Sequence, residues 1–398
     1  MLALIINPYI LPVDCKSFPK EYLMTQIRDS IELDFCDVLF QPKRTTLNSR
    51  KEADVVREYK FKYYPKTINS CGIIAANMAT TGTFEINDIL QKYQAITCLH
   101  KHYDFRQKEN FEYISKNYNK EESQNNSYTF ISTGLKDDKE RLFALLADDN
   151  FKIDKLCIDI ANGYIPKLAD FVKEVREKFP ALLIMVGNVV TGDMTQDLIL
   201  SGADIIKVGI GPGSVCTTRK LTGVGRPQLS AILECADAAH GVRGLVCSDG
   251  GCTCAGDVAK AFGAGADFVM LGGMFAGTDE AAGELIEKTI QTNELNSAPE
   301  SSENCVLVTQ KEKYKQFYGM SSQFAQEKHF GGMACYRASE GKVVEVAYKG
   351  SVECVIQEIL GGVRSTMSYI GASRLKDIPK CTTFYRVNRQ LNEIFGKS

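Results

Sequence analysis

This chain lacks a marked excess of either positive or negative charge. Its 398 residues carry 47 Lys and Arg against 49 Asp and Glu, a formal net charge of -2. The basic residues are spread among acids and form no stripe, which argues against a nucleic-acid surface. Apolar runs of the ~20 residues needed to span a bilayer are absent too. The apolar N-terminus, Met1 to Pro12, has no basic start and is broken by Asn7, Pro8 and Pro12. Residues 1–33 therefore read as an extension that packs on the body, not a secretory leader. The 14 cysteines show no secreted disulfide framework. Cys252-x-Cys254 is too tight for a zinc knuckle, and no second pair stands at suitable spacing. Most cysteines are expected to be reduced core residues of a cytoplasmic protein. Finally, no G-x-G-x-x-G opens a first helix with an acid about 20 residues on, so the doubly wound dinucleotide fold loses its main support.

What is present is alternation. Apolar runs suggest strands at Ile73–Met78, Ala95–Lys101, Tyr128–Ser132, Lys155–Ala161, Leu182–Val190, Ile205–Gly211, Gly244–Gly250 and Phe268–Met274. Between them lie helical patterns such as Lys167–Lys178, where Leu168, Phe171, Val172 and Val175 share a face. Others fall at Asp138–Ala147, Met194–Ser201, Gln228–His240 and Ala255–Gly263, and a last one at about Val352–Leu360. Alternating β and α units imply a parallel sheet, and eight of them over about 200 residues fit a closed (β/α)₈ TIM barrel spanning residues 34–398. Thr289 to Thr309 is polar and contains Pro299, so 289–309 reads as a flexible insertion, with a flap over about 310–350.

Chemistry in such a barrel belongs at the C-terminal ends of the strands. Glycines and polar residues collect there. The sixth strand runs into Gly209–Ile210–Gly211–Pro212–Gly213–Ser214–Val215–Cys216–Thr217–Thr218–Arg219. Glycines let the backbone pass close to a ligand, and Cys216 stands beside two hydroxyls and a guanidinium, as a presented thiolate would. The same residues also suit a plain glycine-rich turn with a buried cysteine. The seventh strand ends in Ser248–Asp249–Gly250–Gly251 and the eighth in Gly272–Gly273. Paired glycines at those two places suit a phosphate held by backbone N–H groups, or simply strand ends.

Taken together, Gly-Pro-Gly-Ser-Val-Cys-Thr-Thr-Arg, Thr222–Gly223–Val224–Gly225, Ser-Asp-Gly-Gly, Phe-Tyr-Gly-Met-Ser-Ser and Tyr-Arg-Ala-Ser-Glu-Gly-Lys closely resemble the GMP reductase family. The similarity runs from about Asp34 to Phe395, interrupted by the insertion. The sister family is the IMP dehydrogenases, which share the barrel and the cysteine loop. Thr-Thr-Arg follows Cys216, where a dehydrogenase usually has Ile-Thr-Gln. The stretch after the second strand, about 25 residues, is too short for the regulatory CBS modules most dehydrogenases carry.

The resemblance implies reductive deamination, GMP + NADPH + H⁺ → IMP + NH₃ + NADP⁺, in purine interconversion. It implies Cys216 as nucleophile, with Thr218 and Glu340 as the pair that protonates the leaving amine. Asp249 would take the ribose hydroxyls, and Gly250, Gly251, Gly272 and Gly273 the phosphate, helped by Ser214 and Tyr318. Gly319, Met320, Ser321, Arg337, Ala338, Ser339 and Gly341 would read the purine. For NADPH the matching residues are Lys101, Asp159, Ile160, Ala161, Ile210, Gly211, Met320, Tyr336 and Arg337, with Ser365, Thr366, Met367 and Ser368 at the far end. Ser49 and Arg50 match residues that reach a neighbouring subunit's cofactor, which implies a homotetramer. Carbonyls of Gly211, Gly213 and Cys216, with Arg219 near, match a potassium site, and oxygen-only ligation suits that ion. No nucleic acid and no membrane enter this picture.

Other readings stay open at single residues. Lys101 suits a surface lysine, Asp249 a helix cap, Arg337 a surface charge, and His100 and His102 structural positions. Three residues depart from the family pattern: Ala79 for a usual Asp, Arg226 for a usual Tyr, and Cys335 for a Glu. Two other functions compete, an IMP dehydrogenase and a catalytically weak nucleotide sensor.

Overall fold

The computed structural model describes residues 27–105, 107–118, 128–135, 139–148, 153–292, 308–336 and 338–388. Residues up to Ile31 form a unit of their own, and the unit Glu32–Ser398 carries the fold described below. The expected extension at 1–33 lies mostly outside the described residues.

Eight parallel strands close into a barrel: β1 (Ile73–Ala75), β2 (Ile96–Cys98), β3 (Thr129–Thr133), β4 (Lys155–Asp159), β5 (Leu183–Val189), β6 (Ile205–Val208), β7 (Leu245–Asp249) and β8 (Phe268–Leu271). Each pairs with its sequence neighbour, and β8 closes on β1. Helices follow the strands: α1 (Phe84–Leu90), α2 (Lys108–Tyr118), α3 (Lys139–Ala147), α4 (Pro166–Lys178), α5 (Gly192–Leu200), α6 (Thr218–Thr222), α7 (Gln228–Gly241), α8 (Ala255–Gly263), α9 (Gln323–Phe330) and α10 (Val352–Ile370). This is the (β/α)₈ fold expected from the alternation.

Strand parity sorts the core into layers, because successive side chains point to opposite faces. Ile74, Ile96, Phe130, Cys157, Leu183, Met185, Ile205, Cys247, Phe268 and Met270 fill the barrel interior. Their neighbours Leu156, Ile158, Ile184, Val186, Ile206, Val208 and Val246 face out, under α4, α5 and α7. On the other side Ile73, Ala75, Val269 and Leu271 pack against α8 and α10. Tyr59 plugs the N-terminal end: its hydroxyl donates to the Asp267 carbonyl at 2.8 Å and its ring stacks on Phe268 at 4.3 Å.

Two expectations change. The last helix runs ten residues past Leu360, through Gly361–Gly362. Gly362 marks close helix packing and not a stop, since a Cβ there would fall 2.3 Å from the Ala255 Cβ on α8. The polar stretch 289–309 is also partly strand. Strand β9 (Leu285–Thr292) pairs antiparallel with β10 (Val308–Tyr318) from Leu285↔Lys315 to Thr292↔Val308, and β11 (Val343–Ala347) pairs with β10. Both faces of this sheet meet water over much of its length, so its sequence lacks the apolar alternation that marks a half-buried strand. Residues 293–307 lie outside the described residues.

Candidate active site

The cysteine loop leaves β6 through two glycines with positive φ, Gly209 at 152° and Gly211 at 88°. A Cβ on Gly209 would fall 2.2 Å from the Asp249 carbonyl, so this turn requires glycine. Pro212 and Gly213 then pack on Gly250 and Gly251, which end β7 with φ of 87° and 88°. Two sequence motifs thus meet in one turn-on-turn contact. Gly273, after β8, is as crowded: a Cβ there would sit 2.7 Å from Ser214 Oγ. Gly273 thus lies against Ser214, and Gly250 and Gly251 against Pro212, so three strand-end glycines and a hydroxyl gather at the cysteine loop, a composition that suits an oxyanion.

The flap completes the loop. After β10, Phe317 buries against Val215 and Ala276. Lys342 N–H donates to the Val215 carbonyl at 3.0 Å, and Thr217 N–H donates to the Glu340 carbonyl at 3.1 Å. Thr217 Oγ1 adds a bond to the Ser339 carbonyl at 3.0 Å. The flap is thus zipped to the cysteine loop, with Cys216 bridged to Gly341 and Gly319 N–H on the Lys342 carbonyl. This register brings three side chains into line. Cys216 Sγ donates to Thr218 Oγ1 at 3.3 Å, and Thr218 Oγ1 donates to Glu340 Oε2 at 2.7 Å. The line runs thiol, hydroxyl, carboxylate, which is a route for a proton between a nucleophile and an acid. Cys216 is half-buried.

A second cluster stands on the barrel strands. Asp159 ends β4 and Asp249 ends β7. Both approach Lys207, which is buried inside β6: its Nζ donates to Asp159 Oδ1, lies 3.2 Å from Asp249 Oδ2, and donates to Asn77 Oδ1 at 3.3 Å. Asn188 Nδ2 also donates to Asp249 Oδ2, at 2.8 Å. Both contacts fall on Oδ2, and Oδ1 of Asp249 accepts no hydrogen bond within the described residues. Burial pushes the Asp159 carboxyl up, and Lys207, Asn77 and Lys101 together outweigh it, so it titrates below the usual range. Lys101 is exposed at the end of β2 and acts on Asp159, which brings these two expected residues together. Sequence reasoning missed Lys207, Asn77 and Asn188. The available signal was a lone charge at an inward position of an otherwise apolar strand, Ile205–Val208.

The remaining expected residues scatter more. Ile160 and Ala161 follow Asp159 at the strand end, and Ala161 is exposed. Tyr318 is buried, Met320 half-buried, and Ser321, Ala338 and Tyr336 exposed. Ser49 caps a short turn through the Lys51 N–H, and both it and Arg50 are exposed. Ser365, Thr366 and Ser368 lie half-buried along α10, whereas the Met367 side chain is fully buried in the core. Helical periodicity splits that tetrad, because consecutive positions cannot share one face. Arg337 lies outside the described residues. His100 stacks on Tyr103 at 4.0 Å, and His102 on His329 of α9 at 4.0 Å, so both expected structural histidines pack under the flap helix.

The three departures have local accounts. Ala79 is buried with Tyr318 and Ala325, and its N–H meets Met320 Sδ at 3.3 Å, so an apolar residue seats the flap helix on the barrel floor. Arg226 donates to both Glu32 oxygens at 2.9 Å, pairs with Glu234 at 2.7 Å, and donates to the Val190 carbonyl at 2.8 Å. It ties the end of the cysteine loop to α7. Cys335 is exposed. At the expected potassium site, the Gly213 carbonyl accepts the Cys216 N–H at 3.0 Å. The Arg219 guanidinium pairs with Asp34 at 3.2 Å and donates to the Arg226 carbonyl, so only its own carbonyl is suited to a cation. Among the described residues, no group of three or more His, Cys, Asp or Glu is arranged to hold a metal ion, and no helix is long and apolar enough to cross a membrane.

A family model described as "IMP dehydrogenase / GMP reductase domain" matches residues 32–295 and 292–393. The chain belongs to this IMP dehydrogenase/GMP reductase family. It is 52% identical over 375 residues to GMP reductase 2 of Homo sapiens, covering 94% of this chain and 100% of that protein. It is 52% identical over 376 residues to GMP reductase of Phytophthora infestans, covering 94% and 96%. To GMP reductase of Vibrio atlanticus it is 49% identical over 376 residues, covering 94% and 99%. Relatives from an animal, an oomycete and a bacterium thus span nearly the same length.

Proposed function

We propose that this protein is a GMP reductase, which converts GMP to IMP and ammonia with NADPH as reductant. The observation that carries the reading is the Cys216–Thr218–Glu340 line, held by the flap's register on the cysteine loop. Cys216 passes its proton through Thr218 to Glu340, and the sulfur adds to C2 of the guanine, forming an S–C2 bond as the C2–N3 π bond opens onto N3. The exocyclic amine takes a proton delivered from Glu340 through the Thr218 hydroxyl, and the C2–N bond breaks to release ammonia. A thioimidate on Cys216 remains. NADPH, when bound, supplies the hydride that reduces C2. The S–C2 bond then breaks, IMP departs, and the sulfur recovers its proton through Thr218. A soft nucleophile that also leaves well is what both halves need, and a serine would serve poorly.

The other residues fit around that centre. Oδ1 of Asp249 suits a ribose hydroxyl, and the Ser214–Gly250–Gly251–Gly273 region suits the phosphate. Lys349 strengthens this region from behind, donating to the Gly273 and Met274 carbonyls at 3.1 and 3.0 Å. Lys101, Asp159 and Ala161 offer a cation, a carboxylate and an exposed residue at the C-terminal ends of β2 and β4, which fits a nicotinamide ribose. The carbonyls of Gly211, Gly213 and Cys216 fit a large monovalent cation such as potassium, which would rigidify the loop. Exposed Ser49 and Arg50 support a homotetramer in which each chain serves its neighbour's cofactor, and the composition supports a cytoplasmic role in purine salvage.

The test is NADPH oxidation with GMP, with IMP and ammonia assayed in parallel. Equal loss of NADPH and gain of both products supports the reading. NAD reduction on IMP with no turnover of GMP would move the protein to the dehydrogenases.

A further inference from the structure

A lysine inside the barrel has no part in the steps above. Lys207 stands between Ile206 and Val208, which face outward, so parity turns it in, and it is 1% exposed. A buried ammonium is costly unless paired and hydrogen-bonded. Lys207 meets two carboxylates, Asp159 from β4 and Asp249 from β7, and the Asn77 amide oxygen. One carboxylate would answer one ammonium. The second is surplus negative charge, and both carboxylates stand at strand ends on the face that carries Cys216. Lys155 gives the contrast: also buried, it pairs with the single carboxylate of Asp154.

We propose that Lys207 is a positioning residue that holds Asp159 and Asp249 as one ionised unit, so that a single buried charge sets both the cofactor side and the ribose side of the site. The proposal rests on the reading that Asp159 meets the cofactor and Asp249 the nucleotide. The two carboxylates are partly exposed, at 37% and 22%, and without the ammonium between them each disfavours the other's charge, so the pair holds one proton up to a higher pH. One half of the site would then lose an acceptor. The remaining titratable groups around the ammonium are the thiols of Cys98, Cys157 and Cys247, from β2, β4 and β7, and Lys101 facing Asp159. Burial pushes the Cys98 and Cys247 thiols up, so they stay neutral and cannot replace the charge. Burial alone would push Lys207 down, but the two carboxylates hold it well above the usual lysine range, so it stays protonated wherever the enzyme is folded.

The experiment compares full-length wild type with Lys207→Met and Lys207→Gln in GMP-dependent NADPH oxidation from about pH 6 to about pH 9. In the variants, KM for GMP and for NADPH should rise together. Their kcat/KM should fall about 100-fold at the acid end and recover in part as pH rises and the shared proton leaves. The wild type should lack that limb. A loss by one factor at every pH, a change in a single KM, or no change would overturn the proposal. Lys207→Gln keeps an amide donor and serves if the Met variant does not fold. If neither folds, carboxyl-carbon NMR of the wild type decides: Asp159 should titrate below a free aspartate, and titration at or above that value overturns the proposal. A wild type that does not turn over GMP would sink the activity and not the lysine's role. Calorimetric GMP binding would then carry the test, with the acid-side loss expected in the variants alone.

Discussion

The two ends of this barrel use the same residue type to opposite purposes. At the N-terminal end an aspartate precedes three of the four even-numbered strands: Asp154 before β4, Asp204 before β6 and Asp267 before β8. Each is saturated within the chain. Asp204 takes Arg176 at 2.7 Å and the N–H groups of Tyr63, Tyr64 and Ile184 at 2.8 to 3.1 Å. Asp267 takes Arg57 at 2.9 Å, His240 at 2.8 Å and the Val246 N–H at 3.0 Å. At the C-terminal end Asp159 and Asp249 share one lysine, and Asp249 makes both of its contacts through Oδ2. The surrounding backbone differs in the same sense, with tyrosines below and glycines above. A carboxylate whose acceptors are all used inside the fold holds the fold. One with an acceptor left over is equipped for a substrate.

This division can be broken from either end. The largest effect is expected at Cys216→Ala, where GMP turnover should fall by about 10⁴-fold or more while the melting temperature stays put. Glu340→Gln should slow ammonia release by about 10²- to 10³-fold with GMP affinity nearly unchanged, and an unaltered rate of ammonia release would remove Glu340 from the proton route. Gly273→Ala sharpens the phosphate assignment: the new Cβ meets Ser214 Oγ, so KM for GMP should rise about tenfold with a smaller change in kcat. An unchanged KM would place the phosphate elsewhere.

Changes at the other end should do the reverse. Asp267→Asn leaves Arg57 and His240 without their charge partner, and chemical denaturation should show a loss of about 2 kcal/mol. Its kcat/KM below the transition should match the wild type, and a specific loss of rate would blur the contrast. The smallest effect concerns His240. Its hydrogen bond to Asp267 raises the imidazole above its ordinary range. A raised pKa adds stability that is fully present below the unfolded value, about 6.5, and is lost as pH rises through the folded one. The ring is 46% exposed, so solvent screening keeps this well under about 1 kcal/mol. Melting curves of wild type and His240→Gln should differ most below about pH 6 and converge at higher pH.

Much of this was legible beforehand, for physical reasons. Buried strands need continuous apolar runs and barrel helices need one apolar stripe, so the eight β units and their helices stood out. Cys216 was legible as a candidate from its glycine-rich loop, whereas the roles of Thr218 and Glu340 were legible only through resemblance. Nothing local to Glu340 says that it will face Thr218, since β9–β10–β11 must first fold the flap back by antiparallel pairing. That sheet was itself hidden, because a strand wetted on both faces has no apolar period to read. The length of α10 was hidden by Gly361–Gly362, which helix propensity reads as a break, whereas in the fold Gly362 packs against Ala255. Lys207 was hidden by its neighbours: four consecutive residues, Ile205 to Val208, read as an apolar strand, and its partners lie 48 and 42 residues away in the chain.

The central claim is that the upper end of the barrel works through a covalent bond at Cys216. The most direct measurement is mass spectrometry of the Cys216 peptide from enzyme acid-quenched while turning over GMP with NADPH. The account predicts a fraction of that peptide carrying the purine nucleotide less ammonia, absent when GMP is omitted. Full turnover with Cys216 unmodified, and the same rate in Cys216→Ala, would contradict it.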